Sequence, residues 1–141
     1  MNAHVLRYGD FCLSLELEIF ESDIRFHSNT IMKVCVESGE FKGNSEFDID
    51  IKEMPDFCSR LSEIYSSLKG AATVKEAFED QYLAFEGDGK GHIYVGGLIS
   101  STGDFCQELK FGNMIDQTVL KDFSKELSDA YKSYAIQKSP Q

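Results

Sequence analysis

The sequence predicts an α+β domain: an antiparallel curved sheet of about six strands, half-barrel or sandwich-like, with two helices packed on it. Three observations predict it. Apolar and polar residues alternate with period two in several segments, as half-buried strands require. Two other segments place apolar residues at intervals of three and four, one stripe along each helix. Short Gly- and Ser-containing turns join neighbouring strands, and tight turns connect antiparallel pairs. The 141 residues, 42% of them apolar, suit a single domain spanning 1–141 with its own core. Residues 136–141 are expected to fray as a tail.

Phe11–Phe20 alternates Phe11, Leu13, Leu15, Leu17 and Ile19 with Cys12, Ser14, Glu16 and Glu18, giving a first strand. Ile31–Val36 is rich in β-branched residues and reads as a second. Ser38-Gly39 turns the chain into Phe41–Ile51, where Phe47, Ile49 and Ile51 share one face and Glu46, Asp48 and Asp50 share the other. Gly43 and Ser45 fall on the apolar face and leave room there for a bulky neighbour. Pro55 suits the first turn of a helix, because its missing N–H is unused there. Phe57, Leu61, Ile64 and Leu68 form that helix's stripe, and Gly70 is placed to stop it.

Gln81–Glu86 and Gly91–Ser100 read as strands joined by the turn Gly87-Asp88-Gly89-Lys90. Gly96-Gly97 interrupts the second of these and suggests a bulge or a close helix contact. Asp104–Phe111 reads as a sixth strand, reached through Ser101-Thr102-Gly103. The last helix is expected over 118–134, with Asp116 as its cap and Leu120, Phe123, Leu127, Ala130 and Tyr134 as its stripe. The stretch from Thr73 to Gln81 follows no strand or helix pattern. No linker, internal repeat or low-complexity tract divides the chain.

Charge narrows the function. The chain has 24 Asp plus Glu against 14 Lys plus Arg, a formal net charge of −10. Gripping nucleic acid needs a basic surface, so that role is not expected, and an anionic membrane would repel the chain. A cationic protein partner is permitted. Residues 1–53 carry 5 Lys/Arg against 11 Asp/Glu and residues 70–117 carry 3 against 8, whereas residues 118–141 carry 4 against 3. The acidity therefore belongs to the strands and their loops. Glu46, Asp48 and Asp50 on one strand, with Glu16 and Glu18 on another, are the leading candidates for a partner surface. Asp88 and Asp104, in the loops Asp88–Lys90 and Ser101–Asp104, come next. A solvated face chosen for solubility explains the same charges equally well.

Catalytic constellations are missing. The sequence holds neither a GxSxG elbow nor an HExxH pair, and the Gly87–Gly91 stretch lacks the GxxxxGK[ST] pattern of a phosphate loop. One carboxylate in that stretch is too few for calcium. His4, His27 and His92 stand far apart, without zinc spacing. Cys12, Cys35, Cys58 and Cys106 form no CxxC pair, and no basic segment followed by an apolar run opens the chain. Free, partly buried thiols in a cytoplasmic protein are the expectation. No enzyme, metal or cofactor is expected.

Several stretches also resemble a family. Ser14-Leu15-Glu16-Leu17-Glu18, Gly91-His92-Ile93-Tyr94-Val95-Gly96-Gly97, Gln107-Glu108-Leu109-Lys110-Phe111 and Asp116-Gln117-Thr118, followed by Leu120, Phe123 and Leu127, occur in the order found in WapI-type immunity proteins. Those proteins serve bacterial polymorphic-toxin and contact-dependent growth inhibition systems. The resemblance implies a non-catalytic cytoplasmic protein that binds one cognate toxin domain and neutralises it. Such toxins are often nucleases with basic clefts, in keeping with the acidity. The resembling residues are architectural, so it implies a fold and a role but no contact residues. Two other classes fit the charge: a nucleic-acid mimic that occupies a DNA-binding protein, and a small ligand-binding or hydrolase domain.

Overall fold

The computed structural model describes residues 3–78, 80–101 and 105–135. The chain forms four strands and a helix, then does so again. Strands β1 (His4–Tyr8), β2 (Phe11–Ile19), β3 (Thr30–Ser38) and β4 (Phe41–Ile49) make one antiparallel meander, followed by α1 (Met54–Ser67). Strands β5 (Lys69–Lys75), β6 (Tyr82–Asp88), β7 (His92–Ser100) and β8 (Glu108–Asp116) make a second, followed by α2 (Gln117–Tyr131). The expected single sheet of about six strands is thus two open sheets of four. The fold repeats although the sequence does not.

The two unread strands are those with the weakest patterns. β1 buries His4 beside Leu6, so a polar residue sits where the alternation calls for an apolar one. β5 reads KGAATVK, poor in strand-forming residues, and buries only Ala72 and Val74. The strand expected over Asp104–Phe111 begins later, at Glu108, and runs directly into α2 at Asp116; Asp104 and residues 136–141 lie outside the described residues.

The inner faces of both sheets and the stripes of both helices share one core. Phe11 stacks on Phe111 across the sheets, centroids 6.2 Å apart. A Cβ on Gly43 would lie 2.9 Å from Ile99 Cδ1, so the bulky neighbour that position accommodates is the second sheet. Phe85 lies between the helices, 5.7 Å from Phe57 and 6.1 Å from Phe123. Phe57, Leu61, Ile64, Leu120, Phe123 and Leu127 are all buried, as their spacing predicts. On α2 the stripe continues through Tyr131 rather than Ala130, which is exposed. Buried Ser124 meets Ser62 of α1 at 3.2 Å, so small hydroxyl side chains face one another where the helices touch.

Local signals resolve in three ways. Asp116 caps α2, accepting from the Thr118 amide at 2.9 Å. The stop of α1 is Leu68, at φ +66°, not Gly70, which already lies in β5. Gly96 and Gly97 stay in unbroken register between β6 and β8, so neither a bulge nor a helix explains them.

Candidate functional site

On the outer face of the first sheet, strand register decides which carboxylates meet. Glu16 of β2 pairs with Lys33 of β3, which pairs with Glu46 of β4. The next row is Glu18, Ile31 and Asp48. Four of the predicted carboxylates therefore share one end of one face, around a single lysine and one aliphatic side chain. Like charges directly opposite one another destabilise a sheet, and the interposed Lys33 and Ile31 prevent that arrangement.

A buried network fixes the backbone beneath Glu46 and Asp48. Gln81, just before β6, is 4% exposed; its Nε2 donates to the Glu46 carbonyl at 3.1 Å and to Glu76 Oε1 at 2.9 Å. Its Oε1 accepts from the Ser100 amide at 2.8 Å and from the Ser45 hydroxyl, which also reaches the Ser100 carbonyl. The Glu76 carboxylate accepts from the Asp48 amide at 2.6 Å, and the Ala77 amide donates to the Asp48 carbonyl at 3.0 Å. These bonds occupy edge groups of β4 that would otherwise invite a foreign strand. They also hold the two carboxylates on a rigid support. Neither Gln81 nor Glu76 is visible as a functional residue in the sequence, because both act across the gap between sheets.

Beside this edge lies an open cleft of about 710 Å³, lined among others by Ile31, Glu46, Asp48, Phe78 and Cys106. Phe78 is 72% exposed. An aliphatic floor, a carboxylate rim and an exposed aromatic ring suit a long cationic side chain, whose stem packs on carbon while its head meets charge.

Asp50 does not share this face. β4 ends at Ile49, and Asp50 is buried where it caps a 3-10 turn, accepting from the Lys52 amide at 3.0 Å. It also accepts from Asn29 Nδ2 at 2.9 Å. Alternation along a strand predicts an outward side chain only while the strand continues. Asn29 is the hub here: its Nδ2 also donates to the carbonyls of Ile24 and Phe26, and its Oδ1 accepts from Thr30 Oγ1 and the Ile51 amide, each at 2.8 Å.

Asp88 stands in the β6–β7 hairpin, where Gly89 and Gly91 adopt positive φ. Its Oδ1 accepts from the amides of Lys90 at 2.7 Å and His92 at 3.1 Å. The Lys90 amide, with help from His92, holds its carboxyl below the usual carboxylate range. The hairpin reading holds, and this carboxylate organises the turn. The four thiols are free. Burial pushes the Cys58 thiol up to about 11, whereas Cys35 and Cys106 are exposed. Among the described residues no three His, Cys, Asp or Glu side chains cluster as metal ligands would. Among the described residues no helix is long and apolar enough to cross a membrane.

No curated protein matches the chain. Residues 6–135, however, match the Immunity protein WapI-like family, from β1 through the 3-10 turn after α2. A match over nearly the whole chain means that the chain belongs to the WapI-like immunity protein family.

Proposed function

We propose that this chain neutralises the toxin domain of a cognate bacterial effector by binding it in the cytoplasm, one toxin per chain, with no chemistry of its own. Membership of the immunity family carries the reading. The acidic end of the first sheet is the proposed docking surface, with Glu16, Glu18, Glu46 and Asp48 meeting lysines or arginines of the toxin. A basic, nuclease-type cleft is the partner that such a surface fits. Asp88 and Asp104 are secondary contacts in this reading, and Asp50 supports the surface from beneath.

Two experiments test it. Co-expression with the cognate toxin domain should protect cells, and death despite abundant soluble protein defeats the proposal. Surface plasmon resonance against that toxin should show association slowing as salt rises, since the screening length falls to about 10 Å at 0.1 M. Replacing Glu18, Glu46 and Asp48 together with Lys should weaken binding sharply and leave the circular dichroism spectrum native. Unchanged affinity in that variant moves the interface elsewhere.

A further inference from the structure

The hydrogen-bonding phase of the first sheet decides which part of β4 stays open. Main-chain groups along a strand turn alternately to its two sides. The Phe20 amide donates to the Asn29 carbonyl at 2.8 Å, continuing the β2–β3 register, so odd-numbered residues of β3 turn to β2 and even-numbered ones to β4. In β4, Gly43, Ser45 and Phe47 then pair with β3, whereas Lys42, Asn44, Glu46 and Asp48 turn their N–H and C=O groups to the free edge. The bonds from Gln81 to the Glu46 carbonyl and from the Asp48 amide to Glu76 agree with that phase. They cover the edge only from the Glu46 carbonyl onward. Among the described residues no hydrogen bond reaches the N–H and C=O of Lys42 and Asn44 or the Glu46 amide. No proline or bulge blunts this stretch, and its one cation, Lys42, is paired with Glu37 at 3.5 Å. An edge left in this state is a template for another strand.

A groove of about 300 Å³ follows the open stretch, lined among others by Phe41, Asn44, Ser101 and Glu108. It shares Asn44, Ser100 and Ser101 with the acidic cleft, so the two make one trough along β4. Phe41, 67% exposed, belongs to the groove and Phe78 to the cleft, so each part of the trough offers an open aromatic ring. We infer that an extended cationic segment of the toxin adds to the first sheet as a further strand, paired with Lys42–Glu46 of β4. This rests on the immunity reading above and gives its partner a form. Main-chain bonds along the open edge supply affinity, and alternate side chains of the segment supply specificity, one long Lys or Arg reaching Glu46 and Asp48 in the cleft. Charge selects the occupant: Glu46, Asp48 and Glu108 line the trough against a Lys42 already paired, and a second copy of this chain would bring a further net charge of −10.

Amide hydrogen exchange of the full chain, read by NMR with and without the cognate toxin domain, tests this. Without toxin the Lys42, Asn44 and Glu46 amides should exchange quickly, and those of Gly43 and Ser45 slowly. With toxin the first three should slow roughly tenfold or more, an alternation that side-chain docking alone does not produce. Asn44→Pro removes one edge donor at a position where an edge strand tolerates proline, and should weaken toxin binding roughly tenfold with native circular dichroism. Asn44→Ala keeps the main chain and should leave the affinity within about twofold. If Asn44→Pro unfolds the chain, the exchange pattern decides alone. Toxin binding at full affinity without protection of these amides overturns the inference and leaves the immunity reading standing. Equal losses in Asn44→Ala and Asn44→Pro overturn it as well, because they trace binding to the side chain. Protection that grows with chain concentration in the absence of toxin gives the edge to a second copy and refutes the toxin as occupant. No toxin binding by the unaltered chain defeats both readings.

Discussion

Replacing Asn29 by Ala should be among the most damaging single changes outside the apolar core. The side chain has five hydrogen-bond partners, the two Nδ2 hydrogens being shared among Ile24, Phe26 and Asp50 while Oδ1 accepts from Thr30 and Ile51, and Asn29 is 1% exposed. Removing it strands the amide of fully buried Ile51 and takes a donor from the buried Asp50 carboxylate. An orphaned buried neutral group costs about 1–3 kcal/mol, and a hydrogen bond to a charged group contributes about 1.5–3 kcal/mol. Water entering the vacated space offsets part of this, so the expected loss is about 3–5 kcal/mol, a large share of the 5–15 kcal/mol typical of a domain. Urea unfolding should show a lower midpoint with an unchanged slope. Asn29→Asp sharpens the test. It keeps the shape but loses the donors and sets a second carboxylate against Asp50. An unpaired buried carboxylate has a raised folded pKa, so its penalty grows as pH rises above the ordinary carboxylate range and shrinks on acidification. Asn29→Asp should therefore be at least as destabilising as Asn29→Ala at pH 7, and less so near pH 5. A loss under about 1 kcal/mol for Asn29→Ala would refute the hub.

Three further outcomes follow from the core, the thiols and the hairpin. Phe123→Ala removes a ring stacked on Phe85 and should cost about 3–5 kcal/mol in urea unfolding. With Ellman's reagent in native buffer, Cys35 and Cys106 should react quickly, and Cys58 only after unfolding, because its thiol stays protonated behind the helix. Asp88 has a folded pKa below its ordinary 3.8, so its contribution is present above that value and is lost as pH falls through the folded one. An acid NMR titration should accordingly shift the Lys90 and His92 amides together, below pH 3.8, and Asp88→Asn should abolish that step.

What the sequence determines by itself is whatever a short window of chain can encode. Period-two alternation placed β2 and β4, helical spacing placed Phe57, Leu61, Ile64, Leu120, Phe123 and Leu127 in the core, and Asp116 marked the start of α2. These signals are local because each side chain's direction follows from its own backbone. The net charge, and the strands that carry it, were equally legible. The tertiary structure alone decided the rest. β1 and β5 have too little pattern to be read as strands, and only pairing partners and covering helices make them so. Asp50 looked outward by alternation, yet the chain leaves the strand one residue earlier and turns the carboxylate onto Asn29. Glu16 and Glu46 lie thirty residues apart in sequence, and only register sets them on either side of Lys33. Gln81 and Glu76 gain their roles from the approach of the second sheet to the edge of the first. Gly96 and Gly112 gain theirs from the Tyr94 ring that lies across two strands. Contacts between distant segments depend on how loops close and how the core fills, and no window of sequence contains that information.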